Sequence, residues 1–83
     1  MACLNPDGTL TRIARAVLTA VEAGAEDEAT LAQTASLPLW RLRASLREIG
    51  AAGLIRAEGK GHILTAKGRE VLELSRELDG DPS

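Results

Sequence analysis

The chain has 83 residues, of which 45% are hydrophobic and 27% charged, with a formal net charge of −2. This composition predicts one small globular domain rather than a disordered chain. With one cysteine and one histidine, the chain can form no internal disulfide and lacks the ligands of a zinc centre or an iron–sulfur sensor. No apolar run approaches the roughly 20 residues that cross a membrane, and no signal peptide is visible, so we expect a cytoplasmic protein without membrane contact.

The predicted domain covers residues 9–78. Residues 1–8 contain several turn formers and are predicted to form an irregular arm, whereas residues 79–83 are predicted to form a flexible tail. The first helix is expected to begin at a Thr9 cap and to end at Gly24. Its apolar residues recur with the helical period of 3.6 and form one stripe: Leu10, Ile13, Ala14, Val17, Leu18 and Val21.

Three acidic residues at positions 26–28 precede the second helix. Negative charge is favourable at a helix N-terminus, and Asp27 is a suitable capping residue. We therefore interpret this run as capping and surface charge rather than as an ion site, because no further carboxylates lie nearby in the sequence.

A short helix, a tight turn and a longer helix follow, and they are the centre of the predicted fold. The short helix begins near Leu31, and the turn lies at Ser36 and Leu37. Pro38 suits the first turn of the longer helix, predicted over 38–52, because its fixed φ is helical and its missing N–H costs little there. The inward residues of the longer helix are Leu42, Ser45, Leu46 and Ile49.

Gly53 is expected to end the long helix in a left-handed conformation. The segments LIRAE and HILT then predict two strands joined by a tight turn through Gly59-Lys60-Gly61, and Thr65 caps a last helix. The predicted fold class is therefore all-α with a small two-stranded β-hairpin, in the order helix-helix-helix-strand-strand-helix. The predicted core consists of Leu10, Ile13, Val17, Leu31, Leu42, Leu46, Ile49, Leu54, Ile63 and Val71.

The stretch LA…SLPLWRLRASLREIGAAGLI and the segment ILTAKGREVL resemble the small bacterial winged helix-turn-helix regulators of the MarR and ArsR type, over about two thirds of the chain. The resemblance implies a winged-helix fold that binds double-stranded DNA with helix 38–52 in the major groove and the hairpin as a wing. Three features depart from the family: Ser36 replaces a frequent glycine, Gly50 interrupts the recognition helix, and Leu39 and Trp40 replace small polar residues. Some winged helices only dock proteins, so a docking module without DNA binding is the alternative function.

The charges of the chain divide along the sequence. Residues 40–69 contain seven basic and two acidic residues, a net +5, whereas the rest contains three basic and ten acidic residues, a net −7. This division is the electrostatic footprint expected of a nucleic-acid-binding surface. The alternative is that the arginines are solvated helix formers without a partner.

Helical angles place Arg43 and Arg47 together on the face opposite the inward leucines. There each guanidinium can donate two hydrogen bonds to a guanine or can bind phosphate. Arg41 lies to one flank and suits a phosphate contact. Arg56 and Lys60 in the wing and Lys67 near the last helix start are further candidates for contacts with the DNA backbone. The predicted DNA-binding residues are Trp40, Arg41, Arg43, Ala44, Arg47, Arg56, Lys60 and Lys67.

Trp40 is the only aromatic residue of the chain, and the sequence leaves its role open. The ring can lie flat over the start of the recognition helix and cover Leu37 or Leu39. Alternatively it contacts a thymine methyl group or, together with Leu39 and the wing, anchors a protein partner, since tryptophan is enriched at binding hot spots.

The last helix carries a wider apolar arc than the core of one small domain requires. Leu74 and Leu78 are the surplus residues, and we expect them to form a homodimer interface that lets two modules read two half-sites. In the alternative, Leu74 covers the arm around Leu4 and the protein remains a monomer. No enzyme, metal or cofactor is predicted, because Ser36 and Ser45 have no base beside them in the sequence and the glycines of the wing precede a strand rather than a helix.

Overall fold

A computed structural model of the chain describes residues 10–25, 27–59 and 61–78, without the side chain of Leu78. The predicted arm, the predicted tail, Thr9 and Lys60 lie outside the described residues. The elements described are, in chain order, α1 (Arg12–Glu22), α2 (Glu28–Ala35), α3 (Leu39–Ala51), β1 (Ile55–Glu58), β2 (Gly61–Leu64) and α4 (Ala66–Leu78).

The strands β1 and β2 pair antiparallel, with Ile55 opposite Leu64 at the open end and Glu58 opposite Gly61 at the turn. Helix α1 packs against α2, α3, α4 and β2, so the elements surround one core. Four helices with a two-stranded hairpin between the third and the fourth confirm the predicted fold class, a winged-helix arrangement.

Side chains and backbone geometry set the helix ends. Thr11, rather than the predicted Thr9, caps α1, because its Oγ1 accepts a hydrogen bond from the N–H of Ala14 at 3.2 Å. Asp27 caps α2 as predicted, accepting from the N–H of Thr30 at 2.7 Å. Pro38 stands in the N-cap position just before α3 and not inside its first turn, so α3 is shorter at both ends than predicted over 38–52.

The turn between α2 and α3 carries strain that a glycine would avoid. Ser36 has φ 58° and ψ 44°, the left-handed conformation, which is unfavourable for residues with a Cβ. Its N–H bonds back to the carbonyl oxygen of Gln33, and the next N–H bonds to that of Ala32. These bonds close α2 and set the direction in which α3 leaves the turn.

The core differs from the predicted one at three positions. Ile13, Ile63 and Val71 are only half-buried, and the chain instead buries Leu64 and Leu72. Successive strand residues point to opposite faces, so burying Leu64 turns Ile63 away from the core. The other seven predicted residues are buried: Leu10, Val17, Leu31, Leu42, Leu46, Ile49 and Leu54.

Helix α4 is locked to the chain between α3 and β1. The N–H of Thr65 donates to the carbonyl oxygen of Leu54 at 3.0 Å, and its hydroxyl donates to the carbonyl oxygen of Gly53 at 2.6 Å while accepting from the N–H of Gly68 at 3.0 Å. Gly68 is buried, and a Cβ there would overlap the carbonyl oxygen of Leu54 and lie 2.9 Å from its carbonyl carbon. The approach of the two backbones therefore requires glycine at position 68.

Two helical glycines are expected to respond oppositely to alanine. Gly68→Ala should lower the free energy of unfolding by about 1–3 kcal/mol, because the added methyl group overlaps backbone. Gly50→Ala should raise it by about 0.5–1 kcal/mol, because nothing lies within 4 Å of a Cβ at that position and alanine favours the helix. Thermal unfolding followed by far-UV circular dichroism measures both changes. Equal shifts in the same direction would contradict the described packing of α4.

Candidate nucleic-acid interface

Helix α3 buries one side and exposes the other. Leu42, Leu46 and Ile49 are buried, as their spacing predicts. The opposite side is exposed along the whole helix, and we call it the α3 outer face. It consists of Trp40, Arg43, Ala44, Arg47, Gly50 and Ala51.

The two arginines of the α3 outer face have different surroundings. The side chain of Arg47 is exposed and makes no hydrogen bond or ion pair to a described residue. Arg43 is also exposed, but its Nε donates a hydrogen bond to Oε1 of Glu28 at 3.0 Å. The structure thus brings both predicted arginines to one surface and adds a carboxylate beside one of them.

Glu28 is a site residue that no sequence pattern identified. It is the first residue of α2, directly after the Asp27 cap, and the acidic run was interpreted only as capping and surface charge. The contact joins residues 15 positions apart on two helices, and no periodicity or motif in the sequence indicates it.

Trp40 and Leu39 leave apolar surface exposed where α3 begins. Trp40 is 69% exposed and Leu39 is 39% exposed, so the ring does not bury itself over the helix start. The guanidinium carbon of Arg41 lies 6.0 Å from the centroid of the Trp40 ring, at the outer limit of a cation–π contact. Arg41 is half-buried and lies to the flank of the α3 outer face, as its helical angle predicts.

In the described part of the wing, a carboxylate lies beside the one predicted DNA-binding arginine. Arg56 is exposed on β1, but its Nη2 lies 3.7 Å from a carboxylate oxygen of Glu58 on the same strand. Lys60 falls outside the described residues. Lys67 is exposed in the first turn of α4, so of the three predicted contacts outside α3 it is the one described without a carboxylate partner.

The proposed dimer surface is described in part. Leu74 on α4 is 49% exposed, which fits the expectation that it is surplus to the core, whereas the side chain of Leu78 is outside the described part of the chain.

Two side-chain contacts hold α4 against the N-terminal part of the domain. Ser75, the residue after Leu74, is buried and accepts a hydrogen bond from the N–H of Leu10 at 3.3 Å. Arg76 pairs with Glu22 at 2.8 Å, and this carboxylate raises the pKa of Arg76. The pair of Arg76 with Glu22 ties α4 to α1, and the bond from Leu10 ties α4 to the residues just before α1.

His62 on β2 has an unusual environment for a residue of a short hairpin strand. It is half-buried, and its Nδ1 is buried with no hydrogen-bond partner among the described residues. It faces a shallow depression between the end of α1 and the hairpin, which is also lined by Val21, Gly24, Glu58 and Ile63.

Residues 10–25, 27–59 and 61–78 contain no cluster of three or more His, Cys, Asp or Glu side chains that could hold a metal ion. Over the same ranges, no helix is both long and apolar enough to span a membrane.

Comparison of the chain with protein-family models finds no matching model, and comparison with curated protein sequences finds no significant match.

The Asp27 cap next to Glu28 should make part of the stability depend on pH. Hydrogen bonds from the side chain and the backbone N–H of Thr30 hold the pKa of Asp27 below its ordinary value of 3.8. A carboxyl group whose pKa is lower in the folded state stabilises the fold above pH 3.8, and this stabilisation is lost as the pH falls through the lower folded value.

Asp27→Asn is the test, because asparagine also caps helices but does not titrate in this range. The melting temperature of the native protein relative to Asp27→Asn should fall between pH 7 and pH 2.5, with circular dichroism as the readout. A difference that does not change with pH would contradict the role of the charged cap.

Proposed function

We propose that this protein is a winged-helix DNA-binding protein, a small transcriptional regulator, that places α3 in the major groove of double-stranded DNA. The observation that carries the proposal is the exposed pair Arg43 and Arg47 on the α3 outer face, one of them without a partner among the described residues. The resemblance to MarR- and ArsR-type regulators supports the same function.

The shape of α3 supports the proposal. A helix of 13 residues is about 20 Å long, and the major groove is wide enough to admit it. Beyond Trp40 and the arginines, the α3 outer face carries only the small residues Ala44, Gly50 and Ala51. Small side chains let the helix axis approach the base edges closely, so that arginine side chains can span the remaining distance.

The charge distribution also supports DNA. The segment 40–69 has a net charge of +5 within a chain whose total is −2, so the basic surface is local. Arg43 and Arg47 suit base or phosphate contacts, whereas Arg41, Arg56 and Lys67 suit the phosphate backbone. The ion pair of Arg56 with Glu58 makes the wing the weaker part of this surface.

A homodimer is part of the proposal. One module reads one short half-site, and two modules related by a two-fold axis read two half-sites about one helical turn apart. The exposed Leu74 on α4 is the proposed centre of the contact, with Leu78 beside it.

The second candidate function is protein docking through the start of α3, and a specific observation favours it. Trp40 and the preceding residue Leu39 both leave apolar surface exposed, and tryptophan is enriched at binding hot spots. In this candidate Trp40, Leu39 and the wing contact a protein, and the arginines only surround that contact.

Replacing the two arginines tests the DNA proposal. Arg43→Gln combined with Arg47→Gln should weaken binding to duplex DNA at every salt concentration, because two positive charges leave the interface. The slope of log affinity against log salt should flatten by about 0.9 for each phosphate that is no longer neutralised. Fluorescence anisotropy with labelled duplexes from 50 to 300 mM salt measures both effects.

Arg12→Gln is the matched control, since Arg12 is an exposed arginine on α1 outside the basic segment. It should leave affinity and slope close to those of the native protein. If the double variant on α3 binds DNA with the native affinity and the native slope, protein docking becomes the better explanation of the exposed face.

Leu74→Glu tests the dimer. A carboxylate at the centre of an apolar contact should convert the dimer to a monomer while the helical content remains, because Leu74 is already half-exposed. Leu39→Glu, at another exposed leucine, should leave the dimer intact. Analytical ultracentrifugation over a concentration series with and without DNA gives the masses, and a native protein that is monomeric throughout would remove this part of the proposal.

A further inference from the structure

The contact between Glu28 and Arg43 has an unusual place for an ion pair. It lies at the edge of the α3 outer face, where a carboxylate opposes the approach of DNA. Exposed ion pairs add little to stability, so the fold itself gains little from this one. A negative charge in the first turn of α2 is favourable for that helix, but its contact with an arginine of the α3 outer face also bears on recognition.

The backbone at Glu28 is firmly anchored, which suits a residue that positions another side chain. Glu28 follows the Asp27 cap, whose side chain bonds the N–H of Thr30 at 2.7 Å, and α2 is anchored by the buried residues Leu31 and Ala32. Its carboxylate accepts from Nε of Arg43 and from neither terminal Nη group. The planar guanidinium is thus oriented through Nε, and both Nη groups are without a hydrogen bond to a described residue.

A fork of two N–H donors matches the O6 and N7 acceptors of guanine. An unrestrained arginine loses much rotamer freedom when it makes that contact, whereas an arginine oriented in advance loses less. The carboxylate also repels phosphate, so it disfavours a sequence-independent contact of Arg43 with the DNA backbone. Arg47 has no such neighbour among the described residues and remains suited to either contact.

We propose that Glu28 is a positioning residue that orients Arg43 to read a guanine in the major groove and that holds this arginine away from phosphate. This inference rests on the proposed function, since it assigns the base class that the α3 outer face reads. Glu28 contacts no base itself and acts through Arg43.

The test is a selection from a random-sequence duplex pool with four proteins: native, Glu28→Gln, Glu28→Ala and Arg43→Ala. The sites selected by the native protein should share a guanine at one position, and the Arg43→Ala variant should show no preference for guanine at that position. That guanine preference should fall about fivefold or more in Glu28→Ala, the lower range for a bidentate base contact. Glu28→Gln retains an acceptor for Nε but no charge, so its preference should be intermediate.

Affinity for a duplex of alternating dA and dT measures the second half of the proposal. Glu28→Ala should bind it more tightly than the native protein, because Arg43 is then free to contact phosphate. In an Arg43→Ala background, adding Glu28→Ala should change the base preference no further. Circular dichroism checks that each variant keeps the helical content of the native protein. A purely structural role of Glu28 as a first-turn acidic residue would not alter preference at a single base.

The outcomes separate this inference from the proposed function. If the native protein binds duplex DNA but Glu28→Ala keeps the full guanine preference, or gains affinity equally for all sequences, then Glu28 only masks Arg43 and the inference is overturned. If the enriched sites contain no guanine that depends on Arg43, it is also overturned while DNA binding stands. If the native protein binds no duplex at all, the proposed function fails and the inference with it.

Discussion

The fold depends on the direct contact between the backbone of α4 and the backbone of Leu54. Gly68 allows the contact, and Thr65 reinforces it with hydrogen bonds to the carbonyl oxygens of Gly53 and Leu54, which lie between α3 and β1. This single contact therefore fixes three features of the fold: the direction in which the chain leaves α3, the direction in which β1 begins, and the axis of α4. Because the wing and the helix proposed to enter DNA both extend from this contact, their relative geometry depends on the close backbone approach at Gly68 and on the hydrogen bonds of Thr65.

Strong hydrophobic periodicity made the helices and strands predictable from the sequence, but the residues at which they begin and end were less predictable. Leu42, Leu46 and Ile49 fix the register of α3 by spacing alone, and turn chemistry located the hairpin. The cap of α1 was misplaced because Thr9 and Thr11 both lie at the start of the apolar stripe, and only backbone geometry distinguishes them. Gly68 could not be recognised as a packing residue, since a glycine in the first turns of a helix has the same sequence appearance whether its surroundings are open or closed.

Which residues share the α3 outer face followed from helical angles, but their neighbours did not. The carboxylate of Glu28 reaches Arg43 across the turn at Ser36, and that contact depends on the angle at which two helices leave the turn. The same limitation applies to His62, whose half-buried state depends on how the hairpin lies against α1. Sequence patterns predict which helix or strand a residue belongs to. To predict contacts between elements, one must also know the angles at which the helices and strands pack.

The absence of phenylalanine and tyrosine leaves Trp40 as the sole aromatic residue, and it lies 69% exposed outside the core. Its indole fluorescence comes from a solvated ring in the folded protein and from a solvated ring in the unfolded chain, so emission reports unfolding only weakly. A ligand that covers the start of α3 would instead change the polarity around the ring or quench it. The chain thus carries a built-in optical reporter of the occupancy of that surface, largely insensitive to the state of its aliphatic core.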